Sequence, residues 1–274
     1  MYAAPDLRTR LMKLRQTLGY TQRCLTAPRL RVDFVIAGVQ KGGTTALHAY
    51  LKQHPQIGLS RHKEAQFFNT DAHFQGLRPD YPFYHSLFDP HPQHTLYGEA
   101  TPAYIYWQDA PRRMWEYNPQ LKVILLFRNP ITRAYSHWNM GRDRGTETLS
   151  FWDAIQAEPV RSRGHLPQQD KKTSYVDRGF YSEQLRRMWR YFPREQTLIF
   201  KSEELEGQPE TVLRQTYAFL GVDCPTPPAP QRAHARPYTS PLEPRAQEYL
   251  QSVYEHDIRE LEHMLDWDCR DWLT

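Results

Sequence analysis

One stretch restricts what this chain can fold into more than any other: Asp33-Phe34-Val35-Ile36-Ala37-Gly38-Val39-Gln40-Lys41-Gly42-Gly43-Thr44-Thr45-Ala46-Leu47. Phe34 to Ala37 is a short apolar run of a length and composition that suit a buried strand. Gly38, Gly42 and Gly43 break it, and from Thr44 onward Leu47, Tyr50 and Leu51 recur at helical spacing. Strand, glycine turn, helix is the arrangement that aims free backbone N–H groups and a positive dipole end at an anion. Gly38 and Gly43 have the outer spacing of a phosphate-binding loop, followed by Thr44 and Thr45.

In ATPases and GTPases of that type the lysine follows the last glycine, whereas here that position is Thr44 and Lys41 lies inside the loop. The loop is therefore expected to cradle a phosphate outside an ordinary nucleoside-triphosphate hydrolase. With 274 residues, 39% of them hydrophobic, the chain can bury a sizeable core. We expect one domain over residues 31–274, preceded by a basic amphipathic extension, residues 1–30. The formal net charge of +4 is too modest for a dedicated nucleic-acid binder. Cys24, Cys224 and Cys269 form no CxxC pair, which argues against a disulfide framework or zinc site, although a Cys224–Cys269 bridge stays open. His91 and His94 are the nearest approach to a metal site, without further ligands around them, so no metal is expected.

The N-terminus lacks the apolar region of a signal peptide, and no run reaches the roughly 18 apolar residues of a membrane span, so a cytoplasmic location is expected. Leu7, Leu11, Leu14 and Leu18 instead recur among Arg8, Arg10, Lys13 and Arg15, a pattern for a helix resting weakly on a membrane surface or packing on its own domain. Further on, Ile57 to Leu59 reads as a short strand, Lys122 to Phe127 as a second buried strand and Thr197 to Phe200 as a third. Gly98 to Tyr106 reads as a turn into a helix through Arg112 to Met114. Helices are expected near Tyr81 to Phe88, from Arg128 onward, and over Ser150 to Ala157, Tyr181 to Phe192, Glu210 to Leu220 and Pro244 to Leu265. Strands alternating with helices imply a parallel sheet covered on both faces, with ligands at the carboxyl ends of the strands.

That rule puts Lys41, Arg128 and the residues after Phe200 on one rim. In nucleotide hydrolases and kinases a buried strand ends in an aspartate that holds Mg²⁺. Here the strand ends in Arg128, which repels a metal and attracts a second anion, with the Ser136 hydroxyl about two turns into the next helix. The ligand so described carries two separated anionic groups. An atypical phosphotransferase using ATP remains an alternative. So does a non-catalytic module gripping acidic polymers through Arg142, Arg144, Arg161, Arg163, Lys171 and Lys172.

Three motifs carry a resemblance: Gln40-Lys41-Gly42-Gly43-Thr44-Thr45-Ala46-Leu47, Arg128-Asn129-Pro130 with Arg133 and Ser136, and Arg178-Gly179 with Tyr181. Together they resemble the sulfotransferases that use 3′-phosphoadenosine 5′-phosphosulfate (PAPS), over roughly Asp33 to Trp272. Lys63-Glu64 with Phe67-Phe68, and Gly98-Glu99-Ala100-Thr101-Pro102-Ala103-Tyr104, look most like the heparan-sulfate and carbohydrate branch and its bacterial relatives.

The resemblance implies a P-loop-like three-layer α/β/α fold with a central parallel sheet. It implies that Lys41, Gly42, Gly43, Thr44, Thr45 and Ala46 hold the 5′-phosphosulfate, Arg128 and Ser136 the 3′-phosphate, and that Tyr181 belongs to the cofactor site. It also gives Lys41 the charge on the bridging oxygen, and Glu64 the proton of an acceptor hydroxyl or amine on a carbohydrate, lipid or small metabolite. Two departures stand out: Ala100 occupies a place where that branch often has lysine, and Arg232 to Tyr238 replaces a Gly-Lys-Gly-Arg-like loop. In this reading Arg236 takes the arginine's place and Arg232 compensates for the lysine. Phe67 and Phe68 are expected in the core, and the loops 71–95 and 143–175 around the acceptor.

Overall fold

The structure, a computed structural model, describes residues 19–224 and 241–273. The chain runs from β1 (Phe34–Gly38) through α1 (Thr44–Leu51), β2 (Ile57–Leu59), α2 (Tyr81–His85), β3 (Leu96–Ala100) and α3 (Ala110–Tyr117) to β4 (Lys122–Phe127). After these come α4 (Pro130–Asp143), α5 (Phe151–Arg163), α6 (Tyr181–Trp189), β5 (Thr197–Lys201), α7 (Ser202–Gly207), α8 (Pro209–Leu220) and α9 (Pro244–Leu265). The strands form one five-stranded sheet in the order β2-β3-β1-β4-β5, and every pairing is parallel.

Parallel sheets bury both faces, so their strands are apolar throughout rather than alternately polar. In β1, Val35 and Ala37 join one core cluster while Phe34 and Ile36 join the other. In β4, Val123, Leu125 and Phe127 take the first side and Ile124 and Leu126 the second. The first side is covered by α4, α6 and α9 through Tyr135, Trp138, Leu185, Met188, Leu250 and Tyr254. The second is covered by α1 and α8 through Leu47, Leu51, Leu213, Tyr217 and Leu220. The result is the three-layer α/β/α architecture that the motifs imply.

From β1 the chain crosses toward β2, and from β4 it crosses the other way toward β5, so the carboxyl ends of these two neighbours form the topological switch point of the sheet. The loop after β1 lies directly against β4. Val39 N donates to Leu126 O at 3.0 Å, and a Cβ on Gly42 would lie 2.3 Å from that carbonyl.

Two elements differ from expectation. Leu96–Ala100 is a strand rather than a turn into a helix, and Ser202–Gly207 is helical. Phe67 and Phe68 are fully buried, stacked among Phe74, Tyr84 and Tyr104, and belong to the core. Cys24, Cys224 and Cys269 are all free. Residues 19–26 are helical, and Arg23 pairs with Asp80 at 2.5 Å. The repeat from Leu7 to Leu18 lies outside the described residues. No helix among the described residues is long and apolar enough to cross a membrane.

Because the Gly42 Cα–Hα faces a backbone carbonyl that β4 fixes, Gly42→Ala must push the loop off the sheet. A loss of about 1–3 kcal/mol is expected, read as a lower urea midpoint with an unchanged m-value.

Candidate functional site

Gly43 caps α1 in the left-handed region, φ 92°, and offers no side-chain acceptor to the first amides of the helix. Lys41 also has positive φ, 72°, a conformation an L residue with a long side chain adopts only where its surroundings hold it. Three contacts do so. Val39 O accepts from Gly42 N at 2.9 Å. Gly42 O accepts from Ser202 Oγ, just past β5, at 2.8 Å. Lys41 O accepts from Arg128 Nη1 at 3.3 Å. Ala46 N and Leu47 N donate to Gly43 O at 2.9 and 3.2 Å, whereas the amides of Thr44 and Thr45, the first two of the helix, have no intrahelical carbonyl to reach.

Arg128 is held from two further sides. Its Nε donates to Thr132 Oγ1 at 3.1 Å, and its carbonyl accepts from the Tyr181 hydroxyl at 2.9 Å. Tyr181 is fully buried, so its hydroxyl acts on Arg128 from behind. Asn129 caps α4 by accepting from Ile131 N and Thr132 N, and Pro130 opens the helix. Ser136 follows on the same helix, 5% exposed. His137 reports the local field: burial first, then Arg178, Arg133 and Lys41, push its imidazole well below the usual range. A neutral histidine among cations marks a region of positive potential suited to an anion.

Glu64 lies at the carboxyl end of β3, next to β1 in the sheet, where its amide donates to Ala100 O at 2.9 Å. It has positive φ, 66°, and an exposed carboxylate. Lys63 Nζ lies 2.9 Å from Oε1 and Gln66 Nε2 lies 3.1 Å from Oε2. The second carboxylate of this edge, Glu99, is wholly buried and accepts from Thr101 Oγ1 and the Tyr104 hydroxyl, both at 2.6 Å, and from the Tyr84 hydroxyl at 3.3 Å. The Tyr104 hydroxyl also receives Phe67 N at 3.0 Å, so Glu99 anchors the segment that carries Glu64.

Arg178 completes the rim. It is 5% exposed, lies 4.5 Å over the Tyr106 ring, and its Nη1 donates to Gln40 Oε1 at 3.1 Å. Burial pulls its guanidinium down to about 10, so it stays charged at neutral pH. The turn carrying it is anchored by Glu158, whose carboxylate accepts from Val176 N at 2.7 Å and Asp177 N at 2.8 Å.

Lys41 to Ala46, Arg128 and Tyr181 thus meet at one rim, with Ser136 on the helix that Arg128 opens and Glu64 on the adjoining strand end. Arg232 and Arg236 lie outside the described residues. Sequence reasoning passed over Gln66, Asn69 and Glu158, and gave Arg178 no role although it precedes Gly179 in a quoted motif. The polymer-gripping face loses members to internal bonds: Arg142 donates to Thr148 O at 2.7 Å, Arg161 to Glu147 at 2.6 Å and Lys171 to Asn69 O at 2.9 Å.

A family model described as a sulfotransferase domain matches residues 31–235. The chain belongs to the sulfotransferase family. It is 32% identical over 200 residues to human bifunctional heparan sulfate N-deacetylase/N-sulfotransferase 3, covering 69% of this chain and 22% of that protein. It is 32% identical over 189 residues to human heparan sulfate glucosamine 3-O-sulfotransferase 6, covering 69% of this chain and 52% of that one. The chain therefore spans about a fifth to a half of the curated relatives it matches. Among solved structures, a sulfotransferase from Alicyclobacillus acidocaldarius superposes with a TM-score of 0.77 at 30% identity, over 89% of this chain and 100% of that one. A mouse sulfotransferase complexed with PAP shares the fold, with a TM-score of 0.55 at 14% identity over 85% of this chain and 87% of that one.

Glu158 gives the protein a pH signature. Burial raises its carboxyl from 4.5 to about 7, against the lowering pull of the two amides. The folded protein then holds a proton that the unfolded chain has lost, and the stability this contributes is present below about 4.5 and lost as pH rises through about 7. Between pH 5 and pH 8 the wild type should therefore lose about 1–3 kcal/mol relative to Glu158→Gln. Thermal denaturation of both proteins across that window checks it, and parallel curves would refute it.

Proposed function

We propose that the chain transfers a sulfuryl group from PAPS to a hydroxyl, or an amine, of an acceptor, with a carbohydrate as the favoured class. One observation carries the reading: the Arg128 guanidinium touches the Lys41 carbonyl where the carboxyl ends of β4 and β1 meet, above the amino end of α1. Two anion-binding devices side by side match a ligand with phosphate at both ends of a ribose. The donor set fits such a nucleotide, since it consists of cations, a hydroxyl and helix-end amides.

When bound, PAPS supplies an activated sulfuryl group on a stable leaving group, adenosine 3′,5′-bisphosphate. The amides of Thr44 and Thr45, with Gly42, Gly43 and Ala46 shaping the turn, would hold the 5′ anion at the positive end of α1. Arg128 and Ser136 would hold the 3′-phosphate, with Tyr181 fixing Arg128 through its carbonyl. Lys41 would offset charge as it appears on the bridging oxygen. Glu64 would take the acceptor proton, oriented by Lys63 and Gln66. The displacement would be in line and independent of metal, since β4 leads into the cation Arg128 where a metal-binding acid would otherwise stand. Lys63, exposed Glu64 and the loops 71–95 and 143–175 would frame the acceptor, and the heparan sulfate relatives support a sugar there.

The test is a radiolabelled transfer assay with PAPS and candidate saccharides. Lys41→Ala should lower kcat by about 10²-fold or more, and Glu64→Ala by about 10²–10⁴-fold with donor binding kept. Near wild-type rates in both variants would refute the assignment. Calorimetry separates the phosphotransferase reading, which requires tight ATP-Mg binding and weak adenosine 3′,5′-bisphosphate binding, from ours, which requires the reverse.

A further inference from the structure

Arg178 makes more contacts than support of one turn requires. Besides Gln40 Oε1, its Nη2 donates to Lys171 O at 3.0 Å and its Nε to Ser174 Oγ at 2.8 Å, so all three guanidinium nitrogens are committed. The partners belong to two different regions. Gln40 immediately precedes Lys41 in the donor loop, whereas Lys171 and Ser174 close the segment that runs exposed from 163 to 168. Lys171 continues the series: its Nζ donates to Asn69 O at 2.9 Å and lies 4.6 Å from the Trp107 ring centre. Asn69 Nδ2 donates to Gln66 Oε1 at 2.5 Å, and Gln66 Nε2 donates to Glu64 Oε2 at 3.1 Å. An unbroken polar series thus joins Gln40, beside the donor lysine, to Glu64, the proposed base.

On the core side the same turn is rigid. Glu158 holds the amides of Val176 and Asp177, the Tyr254 hydroxyl donates to Val176 O at 2.8 Å, and Arg133 Nη2 donates to Tyr175 O. Arg178 therefore projects from a fixed base and hydrogen-bonds to both loops.

We propose that Arg178 is a positioning residue that couples the donor loop at Gln40–Lys41 to the acceptor-side segment 164–174, so that filling the donor site orders that segment and the hydrogen-bond series leading to Glu64. The inference rests on the sulfuryl-transfer reading. A ligand that fixes Lys41 fixes Gln40 Oε1, and the guanidinium then holds Lys171 O and Ser174 Oγ in place. By linkage, ordering the segment tightens the donor site by the same factor. Arginine is required because one ammonium cannot present three donors in a planar fork.

The experiment is limited trypsin digestion with and without saturating adenosine 3′,5′-bisphosphate, on the wild type, Arg178→Gln, Arg178→Lys and Gln40→Ala, beside calorimetry of the same bisphosphate. Trypsin can cut at Arg163, Lys171 and Lys172, all exposed or half-exposed. In the wild type the bisphosphate should slow cleavage there at least about fivefold. The variants should still bind the bisphosphate, more weakly, and lose that protection, with Arg178→Lys failing to restore it. Gln40→Ala breaks the tie from its other end and decides the matter if Arg178→Gln does not fold. Full protection in any variant that binds would overturn the coupling and leave the sulfuryl-transfer reading standing. A wild type that does not bind the bisphosphate would overturn both.

Discussion

The loop that carries Lys41 does not hold its own shape; β4 holds it. Leu126 O receives Val39 N, its carbonyl bars any side chain at Gly42, and Arg128, two residues on, reaches back to Lys41 O. Each such bond contributes on the order of 1 kcal/mol net, but together they fix a backbone that puts a lysine at positive φ. The hydrophobic sheet supplies the stiffness: Leu125, Leu126 and Phe127 are fully buried, so the end of β4 cannot shift without disturbing the core. The loop geometry at one strand end therefore depends on packing in its neighbour.

The two carboxylates on the β3 side differ in what their surroundings leave them free to do. Glu99 has no exposure, and burial raises its pKa while three hydroxyls donate to it. Its lone pairs are spent, and it cannot reach an acceptor. Glu64 is exposed, sits on a left-handed backbone, and has oriented partners on both oxygens. A general base needs access and orientation before anything else, and Glu64 has both. The missing lysine at Ala100 fits this division, because Ala100 is fully buried and faces the core rather than the rim.

Much of the architecture was legible because its signals are local. The apolar runs of β1, β4 and β5, the glycine turn and the periodicity of Pro244–Leu265 each lie within about twenty residues of sequence. β3 was not legible, since Leu96-Tyr97-Gly98-Glu99-Ala100 reads as polar and broken until Tyr84, Thr101 and Tyr104 are seen to satisfy its glutamate. Lys41, Arg128 and Tyr181 were readable from motifs, while the pairings that join such residues across the chain were not. Tyr181 and Arg128 are 53 residues apart, Ser202 and Gly42 are 160 apart, and Arg178 and Gln40 are 138 apart. Only folding brings such pairs together.

The distribution of charge explains how a chain of modest net charge, +4, can still present a cationic rim. Several arginines away from the rim are paired with acids, as exposed Arg112 is with Asp109 and Glu116, or buried Arg113 with Asp71. At the rim the pattern reverses. Arg128 spends its donors on a hydroxyl and a carbonyl, and Arg178 on an amide, a hydroxyl and a carbonyl, so neither cation meets a carboxylate among these bonds. Neutral acceptors orient a guanidinium without cancelling its charge. Like charges held together in this way raise the free energy of the empty site, and a dianion that enters relieves that repulsion as well as making its own hydrogen bonds. The cationic character of this rim then follows from the pairing pattern at the carboxyl ends of β1 and β4, and not from the charge of the protein as a whole.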